Sequence, residues 1–279
     1  MIKTHDRDYF YKYVVADVAK KILSTLQVKC SSPILFNDPF DSQIELQHDI
    51  ENKEDLIKKT TGFICNALKP LIKNGNVEQA HHLVCDEMLK DNEFVNQRYT
   101  VLQSSYKDLN NIIYSFLRED RIFCVSEKND DLLMWAHYAD EHKGAVIKLK
   151  CIPEKETALC VAKPVIYSAT MPLLKVEELF NSKQELIRKI LDEILLTKSL
   201  DWGHEKEWRV ILMKKQENND FDMRGILEDE LDSIYLGCRM DEQDKKDVVD
   251  IVRTKLKNVR IFEARKNNRE FKLDFEELR

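Results

Sequence analysis

An α+β fold, with a mixed or antiparallel sheet as its core and a helical insertion within it, is the architecture this sequence predicts. Three observations predict it. Short apolar runs rich in β-branched and aromatic residues alternate with helical patterns over most of the chain. One long stretch, Lys53 to Glu119, keeps helical periodicity throughout. The chain also closes on two short strand patterns flanking the polar turn Arg265–Arg269. With 279 residues, 43% hydrophobic and 34% charged, the length suits one domain over 1–279 carrying an insertion at 53–119.

The elements follow in order. Tyr9 to Val15 is aromatic and β-branched, which suits a strand. Val18, Ile22, Leu23 and Leu26 are spaced for a short helix. Phe36-Asn37-Asp38-Pro39-Phe40-Asp41 is a turn, because Pro39 biases Asp38 away from helix and the Asx side chains bond back to local backbone. The insertion predicts three helices near Glu54–Lys73, Val77–Lys90 and Phe94–Leu117, with Gly75 as punctuation. Arg121–Glu127 is a buried-type strand. Asn129-Asp130-Asp131 then supplies an N-cap for the helix Leu132–Ala139. Gly144 ends that unit, and Ala145–Leu149 and Lys163–Tyr167 are strands. Val176–Leu196 is a long amphipathic helix. The apolar run Val210–Met213 is a strand, and so is Leu231–Leu236, closed by Gly237. Asp241–Leu256 is a helix whose early acids suit its dipole. Strands at Val259–Ala264 and Glu270–Phe275 finish the pattern.

Composition narrows the function classes. A net charge of −6 argues against a surface built for nucleic-acid backbones. No apolar run follows Met1-Ile2-Lys3-Thr4, and no stretch is long enough to span a bilayer, so a cytoplasmic chain without membrane contact is expected. The seven cysteines are scattered with no C-x-x-C, which reads as small buried hydrophobes. His81 and Cys85 stand one helical turn apart, but no second ligand pair completes a site, and no metal is expected. A Gly-x-Ser-x-Gly elbow, a Gly-x-x-x-x-Gly-Lys loop and a Rossmann glycine set are all absent.

Chemistry concentrates in four segments that mix polar groups with aromatics: Tyr11-Lys12-Tyr13; Phe36 to Asp41; Ser126-Glu127 with Trp135, His137, Tyr138 and His142; and Trp202-Gly203-His204-Glu205-Lys206-Glu207-Trp208-Arg209. The last is the most informative. Glu205 and Glu207 stand two apart at the entry to a strand, a spacing that projects both to one face. Like charges at close range raise one another's pKa, so such a pair is costly unless used. The plainer alternative is a solvated doublet with Arg209 as a same-face ion partner. Lys12 equally has a plain reading as a solvated strand residue, Ser126 as a turn residue and His137 as a rim histidine.

Several of these segments carry a family resemblance. FYKY, ILFNDPFD, IFCVSEKNDDLLMWAHYADEHKGAVIKL and HEKEWRVIL together resemble a bacterial family of unknown function. Its members show Leu-Tyr-Lys-Tyr, Phe-Asn-Asp-Pro-Phe-Asp, Leu-Met-Trp-x-His-Tyr-Ala and Glu-x-Glu-Trp-Arg motifs. The resemblance implies a setting near phage-defence loci. The order of a basic strand residue, a serine strand and Glu-x-Glu is also similar to the ADP-ribosyltransferase pattern of Arg or His, Ser and Glu. That resemblance implies an ADP-ribosyltransferase-like sheet and NAD as substrate. Lys12 and Ser126 would then hold NAD, and Glu207 would stabilise the oxocarbenium-like ribosyl centre with Glu205 in support. Tyr13, Trp135, His137, Tyr138, Trp208 and Arg209 would line the site, with Tyr138 or Trp208 stacking on nicotinamide. Two departures stand out: lysine occupies the basic position, and Ser126 sits in Cys-Val-Ser-Glu.

Three functions are therefore carried forward. The first is an NAD-consuming ADP-ribosyltransferase-like enzyme, acting as a toxin or defence effector. The second is a binding or sensor module that recognises a nucleotide or peptide through the same residues, with the helical insertion as a protein-partner surface. The third is a nuclease holding Mg²⁺ on Asp38, Asp41, Glu205 and Glu207.

Overall fold

The computed structural model describes residues 3–42, 47–71, 76–174, 183–215 and 219–278. In chain order the elements are β1 (Tyr9–Val14), α1 (Ala16–Thr25), β2 (Gln27–Ser31), β3 (Gln47–His48), α2 (Lys53–Ala67), α3 (Val77–Lys90) and α4 (Asn92–Glu119). Then come β4 (Asp120–Ser126), α5 (Leu132–Tyr138), β5 (Ala145–Lys150), β6 (Lys163–Pro164), β7 (Ile166–Ser168), β8 (Leu173–Leu174), α6 (Lys183–Leu196) and β9 (Thr197–Ser199). The chain finishes with β10 (Glu207–Met213), β11 (Phe221–Gly225), β12 (Leu231–Leu236), α7 (Glu242–Lys255), β13 (Arg260–Lys266) and β14 (Leu273–Glu277). The fold is α+β with a mixed, mostly antiparallel sheet. Among the described residues, no helix is long and apolar enough to cross a membrane.

Two compact units divide the chain. The first gathers Met1–Asp38, Glu119–Ala169 and Lys198–Arg279, and the second Pro39–Arg118 with Thr170–Thr197. The first holds a ten-stranded sheet whose main path runs β11-β2-β4-β1-β5-β12-β13-β14. β10 pairs antiparallel with β4 along its whole length, from Glu207↔Ser126 to Met213↔Asp120. The other edge of β4 is shared, by β1 at Tyr11↔Ser126 and by β2 at Ser31↔Ile122. Among the described residues, only β12 and β13 run parallel in this sheet, with α7 as their crossover.

Alternation along the strands sorts the side chains into two faces. Phe10 and Val14 of β1, Phe123 and Val125 of β4, and Val210 of β10 bury into one core with α1 and α7. The residues between them turn the other way. Tyr13, Val146 and Tyr235 pack with Met134 and Trp135 of α5 in a second core. That short helix starts where the sequence predicts, because the Asp131 side chain accepts the Met134 N–H at 2.9 Å.

Tight turns fix how α5 returns to the sheet. A Cβ at Gly237 would collide with the His142 carbonyl oxygen, and one at Gly144 with that of Val14. Gly237→Ala is therefore expected to destabilise the chain by about 1–3 kcal/mol through overpacking. Thermal unfolding would read this directly, and an unchanged Tm would mean the turn yields at no cost.

In the second unit, α2 and α3 pack against each other, each capped by an Asn side chain, Asn52 and Asn76. Thr61 and Cys85 meet at 2.7 Å (Oγ1 to Sγ), and His81 Nε2 bonds the Lys58 carbonyl at 2.9 Å. Both polar groups thus tie helix to helix. The helix expected over Glu54–Lys73 ends earlier, at Ala67, and gives way to a 3-10 turn at Lys69–Leu71, whereas Gly75 and the first turns of Val176–Leu196 lie outside the described residues.

The short strands β3, β8 and β9 escape the sequence reading, and so do β2 and β11 of the main sheet, which pair with each other. Only Val28 and Cys30 of β2 are buried, too short an alternation to stand out. The single strand expected at Lys163–Tyr167 is split at Val165 into β6, which ends on Pro164, and β7, as suits a proline that cannot donate to a ladder.

Candidate functional site

The acidic pair is built by two turns and one strand, all in the first unit. Ser199 caps the 3-10 turn Leu200–Glu205, its hydroxyl accepting the Asp201 N–H at 3.3 Å. Lys206 then takes a left-handed conformation (φ 46°) and sends the chain into β10. Glu205 is therefore not a strand residue, and alternation is not what brings the two carboxylates to one place. Lys198 does so. Its ammonium lies 2.6 Å from Glu205 Oε2 and 3.1 Å from Glu207 Oε2.

The remaining oxygens are also engaged. Arg209 reaches Glu207 through Nε at 2.8 Å to Oε1 and through Nη2 at 3.1 Å to Oε2. Tyr138 donates its hydroxyl to Glu205 Oε1 at 2.6 Å. Ser126 donates to the Glu205 carbonyl at 2.6 Å and accepts the Lys128 N–H at 3.1 Å, which clamps the turn to the end of β4. The Glu207 N–H is accepted by the Tyr167 hydroxyl at 2.9 Å. Aromatic faces enclose the cations. Arg209 sits 5.1 Å from the Phe36 ring and Lys198 5.1 Å from the Trp202 ring. The Trp202 indole N–H is held by Asp38 at 2.7 Å. The Phe36–Asp41 turn, structural on the sequence reading, thus supplies two groups to the site.

This is a dry network. Exposure is 2% at Glu205, 7% at Glu207, 6% at Lys198 and 0% at Arg209. The solvated doublet is corrected by these values, although the Arg209 partner it invoked is real. Burial raises the Glu205 carboxyl; Lys198 opposes the rise and Glu207 adds to it, leaving the group above its ordinary value. Burial also penalises ionised Glu207, but Arg209 and Lys198 outweigh it and hold this carboxyl well below the usual carboxylate range. Two carboxylates two residues apart are thereby given opposite proton affinities. Burial pushes the Tyr167 phenol up to about 12, and burial with Glu205 close by raises Tyr138, so both remain protonated. Burial and nearby Glu207 likewise keep the Cys124 thiol protonated and within reach of Glu207.

Linkage turns these opposite shifts into a pH signature. Glu205 binds its proton more tightly folded than unfolded, so its contribution is full below the ordinary value of 4.5 and is lost as pH rises through the raised folded value. Glu207 contributes fully above 4.5 and loses that contribution as pH falls through its lowered folded value. Glu205→Gln is expected to flatten the decline in stability on the alkaline side of 4.5 while leaving the acid limb. Tm measured against pH for both proteins would show it, and superimposable alkaline limbs would contradict it.

The structure brings some of the expected residues together and separates others. Tyr11, Ser126 and Glu207 form one cross-strand row on the α5 face, and Tyr138 and Arg209 join them. Lys12 does not. It alternates to the opposite face, where its ammonium lies 5.2 Å from the Phe123 ring and donates to the Cys124 carbonyl at 2.8 Å. Trp208 also faces away, packed 5.2 Å from Phe10 and 5.0 Å from His5, with its N–H on Glu127. Stacking on a ligand beside Glu207 is closed to it. Trp135 is fully buried and donates to the Asn129 carbonyl, and the Tyr13 hydroxyl donates to the Lys128 carbonyl. Both serve as supports for α5 and the Ser126 turn. His137 lies 6.5 Å from Trp202, at the edge of the network.

Sequence reasoning missed Lys198, Tyr167 and the part played by Phe36. Lys198 follows the long helix in an unremarkable polar segment, and nothing in its spacing signals a bridge to Glu205. Among the described residues, no group of three or more His, Cys, Asp or Glu is placed to hold a metal ion.

A family model described as "Protein of unknown function (DUF2971)" matches residues 134–210. The matched span runs from α5 to β10 and contains Tyr138, Lys198, Glu205, Glu207 and Arg209. No curated protein and no solved structure matches the chain.

Proposed function

We propose that the first unit carries an NAD-consuming, ADP-ribosyltransferase-like site centred on Glu207 and Glu205. The observation that supports this best is the row Tyr11–Ser126–Glu207 across three neighbouring strands, with Glu205 and Tyr138 beside it on the same face. The resemblance calls for a basic residue on the first strand, and that part of it is not met on this face, so the serine of β4 and the carboxylates of the Glu205–Glu207 turn carry the support. Lys12 has no part in this site; Tyr11 is the first-strand residue on its face.

The chemistry follows from the proton affinities. In this reaction the bond between ribose C1′ and the pyridinium nitrogen breaks, and its electron pair leaves with neutral nicotinamide. Positive charge develops at C1′, where an ionised carboxylate is the stabilising group such a centre needs. Glu207 is that group, kept ionised by Arg209 and Lys198. An acceptor nucleophile then bonds to C1′ and gives up its proton. Glu205, with its raised proton affinity, is the base that takes it. A toxin or defence effector is the biological role this reading carries.

A second reading has its own support. Every carboxylate oxygen of the pair is already bonded to Lys198, Arg209 or Tyr138, which suits a binding or sensor module that turns nothing over. The nuclease reading has no observation in its favour: among the described residues no group of three or more His, Cys, Asp or Glu is placed to hold a metal ion. Incubation of the purified chain with NAD separates the first two. Release of nicotinamide supports the transferase, whereas thermal stabilisation by NAD without product supports the module.

A further inference from the structure

A second site, on the α5 turn and the β13–β14 hairpin, carries the strongest unassigned chemistry in the molecule. A cavity of about 440 Å³ opens there, within the roughly 300–1,000 Å³ typical of small-molecule sites. Its walls carry Arg239, Lys266, Arg269 and Lys272 against a single carboxylate, Glu270. That excess of positive charge stands out in a chain whose net charge is −6. Glu270 is paired with Lys272 at 2.6 Å and Arg239 lies 3.9 Å from Glu141, while Lys266 and Arg269 have no ion pair among the described residues. Free cations lining a concavity are a device for holding an anion, and phosphate is the anion that Arg and Lys serve best.

Two further features ask for more than a bare anion. Phe271, also on the wall, is fully exposed, an unusual position for a ring with no partner. His142 lines the same cavity with its Nδ1 buried and without a hydrogen-bond partner among the described residues. Burial and nearby Arg239 lower the His142 pKa, so it presents a neutral, uncommitted polar atom. Its ring stacks on Trp135 at 6.1 Å and 6° between planes.

The walls are pre-formed. Asp140, Glu141 and His142 hold three successive left-handed conformations, a strain kept in place by the His142 carbonyl accepting the Arg239 N–H at 3.0 Å. Across from them, Asn267 fixes the hairpin tip by accepting the N–H groups of Arg269 and Glu270, each at 2.8 Å, and by donating to Asp274.

We propose that this cavity is a binding site for a nucleoside phosphate, separate from the Glu205/Glu207 network and independent of the transferase reading. The phosphate lies against Lys266 and Arg269, and the base stacks on Phe271, with His142 on the adjoining wall. Trp135 connects the two places, since it lies under His142 and belongs to the same short helix as Tyr138.

The test is a calorimetric titration of the full chain with AMP, with adenosine and inorganic phosphate as comparisons. AMP is expected to bind saturably and at least about tenfold more tightly than either fragment. Lys266→Glu combined with Arg269→Glu should weaken AMP by about tenfold or more, and Phe271→Ala by roughly fivefold or more. All three side chains lie on the hairpin surface, so the variants keep the fold. The titration contains no NAD, so the outcome does not depend on whether NAD is turned over. The proposal is overturned by the absence of saturable AMP binding, by phosphate binding as tightly as AMP, or by AMP affinity that ignores the charge reversal.

Discussion

Replacing Arg209 with alanine is expected to lower the unfolding free energy by about 3–5 kcal/mol, the cost of stranding one member of a buried ion pair. Arg209 is fully buried, holds Glu207 through two nitrogens and packs over Phe36. Its removal leaves a carboxylate in a dry site with only Lys198 to balance it, and Lys198 is already shared with Glu205. Glu207 would then take up a proton or admit water, and either response costs folding energy. The double variant Glu207→Gln/Arg209→Met should recover much of the loss, because no buried charge is left unpaired. Urea unfolding of the three proteins decides this. A single-variant loss below about 1 kcal/mol would mean that the pair is effectively solvated.

The second large effect concerns chemistry. Glu207→Gln keeps the shape of the side chain and removes the charge that the transferase reading places beside C1′. Turnover of NAD should fall by about 10²–10³-fold, the range seen when one electrostatic stabiliser of a developing charge is removed. The loss should appear in kcat more than in KM, since the charge acts on the transition state. Lys12→Met should leave turnover within about twofold, because that side chain acts on the other face of the sheet. A reversed pattern, with Lys12 essential and Glu207 dispensable, would return the site to the first-strand lysine.

Much of the fold is legible in the sequence, for identifiable reasons. The capping run before Leu132, the Val77–Lys90 helix and the Leu231–Leu236 strand ending at Gly237 each carry a local signal strong enough to survive tertiary packing. β2 and β11 do not, since each is short and takes its identity from its partner. The site is legible in part. Glu205, Glu207 and Arg209 are visible as a doublet with a cation two residues on, and Tyr138 as part of an aromatic–polar helix. Lys12 and Trp208 mislead for one reason: alternation places each one residue out of phase with Tyr11 and Glu207, and only strand register shows which phase faces α5. Lys198 is invisible because its role depends on a left-handed residue at Lys206 that no local pattern announces.

The opposite proton affinities of Glu205 and Glu207 are the centre of this account, and nicotinamide release from NAD tests them most directly. Wild-type chain should release nicotinamide in proportion to enzyme and time, while folded Glu207→Gln, verified by its unfolding midpoint, should release almost none. Equal release by the two proteins, or none from the wild type at saturating NAD, would contradict the assignment of this buried network to ribosyl chemistry.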